Sequence, residues 1–511
     1  MPTSAPPGLD GAVLTRRGLF RAAPAAALVA GAALLAPEEA EGAVRVDPAL
    51  HLLRRATFGP TPALLAEVRA TGTSRWLDAQ LAPETVDDRA CEAYVRRFTT
   101  LGLSAAQVRE RFRSGAWDVM YELLGAHMSR ALFSRRQVYE AAVDFWTNHF
   151  VVPVPSTEVW DCAHLFARDV IRAHALGRFD DMLVACATSP SMLIVLDNRS
   201  STRQAPNENY GRELLELHTV GVGQYTEADV KQSALILTGL GTTRGKEFEY
   251  HPGDHHVGPV KVLGFSHANA SAAQGVQVAT AYLRHLAHHP ATARRLATKL
   301  CVRFVSDSPP AALVDRLAQV YLDSGTAIAP VLRALFTSPE FARSVGAKVR
   351  TPYEDVLATL RALRATPDLK GTASGKEMRW KARGVGQAPM NWPAPDGYPD
   401  VAAAWSGSSV MLARWNFHLS AAGGGALKTL PRPKLVALLG LKKPPKTYGA
   451  VVDRAAAALL VPGLTSAQRT AVCTFLGGKP SKKLRKNDAL VRHRLPQLTA
   501  ALLDTPHFLL R

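Results

Sequence analysis

Thr61-Pro62-Ala63-Leu64-Leu65-Ala66-Glu67-Val68-Arg69-Ala70-Thr71-Gly72 contains every signal of one short amphipathic helix. Threonine sits where its hydroxyl can accept an orphan first-turn N–H, and proline follows at a position with no N–H to lose. Ala63, Leu64, Leu65, Val68 and Ala70 repeat at helical spacing, and Gly72 supplies a stop. The same pattern recurs at 104–126, 135–150, 160–175, 207–220, 226–238, 276–303, 309–323, 352–365 and 450–460. In the helix after Tyr225, Thr226 with Asp229 resembles a capping box and Gly239 sits where the helix should end. One stretch breaks the period. Phe248-Glu249-Tyr250 and Val260-Lys261-Val262 alternate around a Gly- and His-rich turn, which predicts a β-hairpin. The fold expected is mainly α, a large multi-helix orthogonal array with one small β-hairpin insertion.

Composition agrees with a packed globule. Of 511 residues, 47% are hydrophobic and 20% charged, which excludes intrinsic disorder. With 37 Gly, 34 Pro and 5 Cys the chain is neither collagen-like nor a disulfide scaffold. Cys91, Cys162, Cys186, Cys301 and Cys473 form no CxxC pair and read as small buried apolar residues. The net charge of +18 favours acidic neighbours.

The first 43 residues read as an address. Thr15-Arg16-Arg17-Gly18-Leu19-Phe20-Arg21 matches a twin-arginine export signal, Ala22–Leu35 is apolar, and small residues lead to a cut near Gly42 or Ala43. The apolar stretch is shorter than the roughly 20 residues a membrane helix needs. No other run reaches that length, so no transmembrane segment is expected in the mature chain. Removing residues 1–42 takes away three Arg and four acidic residues and leaves +19. Such a protein meets anionic envelope polymers rather than genomic DNA, and no nucleic-acid partner is expected. The twin-arginine route carries folded proteins, often with a cofactor already inserted, which hints at a metal or prosthetic group.

Four regions follow: the signal at 1–43, a helical core at 44–345, a Pro-, Gly- and Trp-rich loop with helices packed on that core at 346–425, and a basic helical region at 426–511. Within the third, Thr366–Asp400 has little periodicity and reads as a long ordered loop ending Asn391-Trp392-Pro393-Ala394-Pro395-Asp396-Gly397-Tyr398-Pro399. The fourth holds Lys479-Pro480-Ser481-Lys482-Lys483-Leu484-Arg485-Lys486, either a solvated face or a dock for an anionic surface. Ala334-Leu335-Phe336-Thr337-Ser338-Pro339-Glu340-Phe341 is echoed by Ala501-Leu502-Leu503-Asp504-Thr505-Pro506-His507-Phe508, each a helix stop followed by a Pro-started turn.

Three segments concentrate polar residues that a core would not need: Asp144–Phe150, Asp197–Arg199 with Pro206–Thr219, and His251–His256. If Pro206 starts a regular helix, Asn209, Arg212, Glu213 and Glu216 share one face, with Glu208–Arg212 and Asn209–Glu213 spaced to pair. The candidate acid–base group is Glu208, Arg212, Glu213, Glu216 and His218. The candidate ligands for a divalent transition metal are His149, Glu216, His218 and His255, the nitrogen and carboxylate mix zinc, iron or manganese accepts. Trp146, Asn148, Asn198, Asn207, Asn209, Tyr210, Trp392 and Tyr398 are the candidate substrate contacts. The alternative is a buried Arg–Glu–Asn lock between helices, with His218 as a C-terminal cap. There is no GxSxG elbow, GxGxxG turn or P-loop lysine. His285, His288 and His289 read as surface.

His51-Leu52-Leu53-Arg54-Arg55-Ala56-Thr57-Phe58-Gly59-Pro60-Thr61, Phe145-Trp146-Thr147-Asn148-His149-Phe150, Asn207–Thr219, Leu412-x-Arg414-Trp415-Asn416-Phe417 and the terminal Thr-Pro-x-Phe together resemble the DUF1800 family over essentially the whole mature chain. The family comprises large, mostly exported bacterial proteins of unknown function. The resemblance implies a helical fold and, through recurring gene neighbours, an exported sulfatase-like partner. It supplies no catalytic residues. This chain departs from the family pattern at Thr147, where a histidine is usual, and at Asp396-Gly397-Tyr398-Pro399. If that histidine were an essential ligand, this chain would be impaired. Two functional readings follow. One is an exported metal-dependent or His/Glu acid–base enzyme, hydrolase-like, acting on an envelope or extracellular polysaccharide. The other is a non-catalytic helical scaffold that binds an anionic polymer or the sulfatase-like partner.

Overall fold

The computed structural model describes residues 47–112, 117–368, 371–425 and 428–511. The twin-arginine segment lies outside the described residues. The opening helix forms as its sequence dictates. It spans Pro62–Thr71, Thr61 Oγ1 accepts from Leu64 N at 3.2 Å, and Gly72 closes it at φ 86°. Full capping boxes start helices after Ser104, Thr226, Thr351 and Thr465, each such cap contributing about 0.5–2 kcal/mol. The architecture is mainly helical with two small two-stranded sheets. No helix among the described residues is long and apolar enough to cross a membrane. All five cysteines are free and buried.

Several boundaries differ from expectation for identifiable reasons. The stretch 276–303 is two helices, Gly275–His288 and Pro290–Phe304. Pro290 disfavours helical geometry in the residue before it, so His289 is extended (φ −68°, ψ 135°) and its Nδ1 caps the second helix by accepting from Ala291 N. Thr366–Asp400 is not one loop: Ala373–Gly384 is a helix within it. The expected hairpin is two hairpins. β1 (Leu240–Thr242) pairs antiparallel with β2 (Phe248–Tyr250), and β3 (Val260–Val262) pairs antiparallel with β4 (Phe265–His267). Leu263 and Gly264 both take positive φ, 46° and 86°, the twist a two-residue hairpin turn requires. That turn sends β3 back on β4 instead of onto β2.

The internal echo is structural. Ile328–Phe336 stops and Ser338 caps Pro339–Arg343; Leu495–Leu503 stops and Thr505 precedes Pro506–Leu509. Each short turn drives a phenylalanine inward against a histidine, Phe341 against His51 (ring centroids 4.5 Å) and Phe508 against His418 (5.9 Å). One hydrophobic cluster runs from Ala49 to Phe508 and draws side chains from all three regions of residues 44–511. Each fully buried Leu- or Phe-sized side chain contributes about 1.5–3 kcal/mol to holding them together. On this core the Gln137–His149 helix, the Pro290–Phe304 helix, the segment Glu208–His218 and the loop before Val401 converge.

Candidate functional site

The helix Pro290–Phe304 carries Arg295, Lys299 and Arg303 at four-residue intervals, which places three cations on one stripe. What each cation meets differs along the stripe. Arg303 is buried and makes ion pairs with Glu354 (2.9 Å), Asp144 (3.1 Å) and Asp400 (3.4 Å). Arg511 also pairs with Glu354 at 2.9 Å, and Lys348 pairs with Asp307 and Asp400. Burial opposes the charge of Glu354, but Arg303 and Arg511 outweigh it and draw its carboxyl down to about 2. This end of the stripe is a closed ionic lock.

One turn back, Lys299 has no carboxylate partner. Its Nζ donates to His149 Nδ1 at 2.8 Å, and His149 Nε2 donates to the His218 carbonyl at 3.2 Å. Burial, then the nearby Arg295 charge, draw the Lys299 amine down to about 7, with Asp396 and Asp400 partly restoring it. Burial and the Lys299 charge hold His149 well below its ordinary value. Burial, Lys299 and Arg295 bring His218 to about 3. Both imidazoles are therefore neutral, and His149 is fixed as the Nε2–H tautomer. Glu213 is half-buried, and burial followed by the Glu216 charge raises its carboxyl.

The segment that carries Glu213 is not the regular helix expected. Glu208–Glu213 is α-helical, and Leu214–His218 is a π-turn, a wider ring found mostly at functional sites. The change of period breaks the expected face. Arg212 does not pair with Glu208 but turns outward to grip Glu227 through two bonds, 2.7 and 2.6 Å. Glu208 and Asn209 are exposed. Glu216 instead accepts from Tyr225 Oη. The expected buried Arg–Glu–Asn lock does not form here; the lock lies around Arg303.

At the Arg303 end of the stripe opens a cleft of about 590 Å³, open solvent at its mouth included, lined in part by Asp144, Asn148, Arg303, Trp392, Tyr398 and Asp400. Two segments read as polar from sequence meet in its wall. Asn148 Nδ2 donates to the Tyr398 carbonyl (2.9 Å) and Tyr398 N donates back to Asn148 Oδ1 (2.8 Å). Gly397, at φ 80°, permits this, because a Cβ there would lie 2.2 Å from the Asn148 carbonyl. Trp392 Nε1 donates to Asp396 at 2.7 Å, and its ring lies 4.8 Å from that of Tyr398. Thr147, the departure from the family pattern, also lines the cleft and hydrogen-bonds to its own helix at Val143.

The other candidates serve the fold. Trp146 is buried and donates to the Ala175 carbonyl. Asn198 is buried and ties Leu237 to Leu240. Asn207 caps its helix through Tyr210 N, and Tyr210 is buried in the core. The four expected metal ligands do not gather. His255 is buried between the Thr238 carbonyl (2.8 Å) and Asn269 (3.0 Å), among the hairpins. His149 has both ring nitrogens engaged, one of them by an amine. Among the described residues no group of three or more His, Cys, Asp or Glu is arranged to hold a metal ion. His288 is exposed, and His285 and His289 are partly so. The sequence reading missed Arg295, Lys299 and Arg303, although three cations at four-residue spacing on one helix were a usable signal.

A helical protein of this kind, with an aromatic cleft at one end of a half-buried basic stripe, is a class defined by its architecture and not by any familiar catalytic motif. The chain belongs to the DUF1800 family, "Protein of unknown function (DUF1800)", which matches residues 51–510. No curated protein matches it. No solved structure matches it either.

Proposed function

We propose that this is an exported acid–base enzyme, hydrolase-like in its chemistry, acting on an envelope or extracellular polysaccharide. One observation carries the reading: Lys299 and Glu213 are a base and an acid whose surroundings move both towards neutrality, each within electrostatic reach of Asp396 in the loop that walls the cleft. Near pH 7 a large fraction of Lys299 is a neutral amine that can take a proton from an attacking water. Glu213, kept protonated more than an ordinary carboxyl, can give its proton to the departing sugar oxygen. The bond from anomeric carbon to that oxygen breaks as the water oxygen bonds to the carbon, and both protons are accounted for. Trp392 and Tyr398 offer the apolar faces on which sugar rings rest, and Asn148 holds that wall in place. Metal is no part of the proposal, since His149 and His255 are already committed to protein partners. Export by the twin-arginine route and a sulfatase-like partner belong to the same proposal and rest on the sequence and the family resemblance.

The test is release of oligosaccharides from a panel of envelope and extracellular polysaccharides, read by reducing ends and mass spectrometry. Wild type should release product from at least one. Lys299→Met and Glu213→Gln should each lose about 10²–10⁴-fold of that rate while staying folded. Release from none, or variants as active as wild type, would overturn the reading. The exposed run Lys479, Lys482, Lys483, Arg485 and Lys486 favours a second reading, a scaffold docking on an anionic polymer. Salt-sensitive polymer binding without turnover would support it.

A further inference from the structure

Most buried cations of this molecule have an internal counterpart. Arg303 has three carboxylates, and Arg172 grips Glu140 through two bonds of 2.8 Å. Arg55 and Arg361 are wrapped by backbone carbonyls. Arg295 and Lys299 differ. The one hydrogen bond of Arg295 among the described residues is a long one, Nη2 to the Leu217 carbonyl at 3.4 Å, and its buried Nε has no partner. Lys299 touches only the neutral His149. Both are partly open to solvent. Neither makes an ion pair among the described residues.

The acidic groups that face them act only through space, Glu216 on Arg295 and Asp396 and Asp400 on Lys299, while their hydrogen bonds go elsewhere. Glu216 is held by Tyr225, Asp396 by Trp392, and Asp400 is shared between Arg303 and Lys348. His149 and His218 are neutral and bring no negative charge. The remaining neighbour is Gly221, whose absent Cβ would stand 2.9 Å from Arg295 Nη1. The guanidinium thus packs against the bare backbone at Gly221, and the long bond to Leu217 is its one hydrogen bond among the described residues. Cations are costly to desolvate without a counter-ion, and a pair of them one helical turn apart more so.

We infer that Arg295 and Lys299 form an anion-binding subsite, and that the substrate carries an acidic substituent, a carboxylate or sulfate on a sugar, that completes the pair. Arg295 would supply the charge and take two oxygens of the anion in its planar fork, and Lys299 would add a third contact as an N–H donor. The inference rests on the polysaccharide reading for its substrate but not for its ligand chemistry.

The test is isothermal titration calorimetry of the purified protein at constant ionic strength with glucuronate, inorganic sulfate and, as neutral control, glucose. The expected result is saturable binding of about one anion per chain for glucuronate or sulfate, with the stronger of the two identifying the substituent. Arg295→Gln and Lys299→Met should each weaken it at least tenfold, while Lys482→Gln with Lys483→Gln leaves it unchanged. Circular dichroism checks that each variant folds. Absence of saturable binding, equal binding by the cleft variants, or loss on changing the surface lysines would each overturn the inference. The readout needs no turnover, so failure of polysaccharide release would sink the hydrolase reading and leave this one standing.

Discussion

The two ends of the Pro290–Phe304 helix treat the same kind of charge in opposite ways. At Arg303, carboxylates from three other elements close around a buried guanidinium. At Lys299, four residues earlier, a half-buried amine has a neutral imidazole as its hydrogen-bond partner and, among the described residues, no ion pair. A paired charge in a low-dielectric setting keeps its charge and fixes geometry; an unpaired one shifts its proton equilibrium instead. One end of the helix therefore holds the molecule together, and the other is free to exchange protons. The lock supports the open end, because Asp144 and Asp400 line the cleft while gripping Arg303.

The largest effect should follow from breaking the lock. Arg303→Met takes Asp144 from its arginine and leaves Glu354 to Arg511 and Asp400 to Lys348, and should lower stability by about 3–5 kcal/mol, measured by urea unfolding. A second lock lies beyond it. His418 sits between Asp355 (3.0 Å) and Asp504 (2.7 Å). Burial opposes its proton, yet the two carboxylates raise it to about 10. A raised histidine adds stability that is full below its ordinary value and is lost as pH rises through the raised one. His418→Gln should therefore destabilise on the order of 3 kcal/mol at pH 6, with the gap closing as pH approaches 10. Unfolding curves at both pH values decide this.

The open end should respond with the opposite sign. Lys299→Met removes a charge with no internal partner, so it should stabilise by about 1 kcal/mol below pH 7, as functional sites do when relieved of an awkward group. The lowered amine value means wild type binds fewer protons folded than unfolded between pH 7 and the ordinary lysine range. Wild-type stability therefore gains with pH across that window, and the advantage of the variant fades. A Lys299→Met variant less stable than wild type at pH 6.5 would show that the amine belongs to the lock after all.

Much of this was legible in the chain. Thr61-Pro62 and Gly72 gave one helix with its caps, and the paired Ser338-Pro339 and Thr505-Pro506 stops were readable as a structural echo. Asn148 and Tyr398 were both picked out as candidate substrate contacts, and the fold brings them together. What sequence could not supply was the change of helical period after Glu213, which no residue announces and which moves Glu216 off the expected face. Leu263-Gly264 forms a hairpin turn without the Asn-Gly or Asp-Gly that marks one. The basic stripe was hidden because the helical period of 276–303 shows in its apolar residues, and Pro290 divides that stretch into two helices.

The central claim is that Lys299 is a neutral-range amine and not an ordinary ammonium. Competitive labelling of the folded protein with acetic anhydride over pH 5–11, read lysine by lysine by mass spectrometry, measures this without altering the chain. The account predicts a reactivity midpoint for Lys299 of about 7, set apart from exposed lysines at roughly 10.4. A Lys299 midpoint at about 10, titrating with the surface, would contradict it.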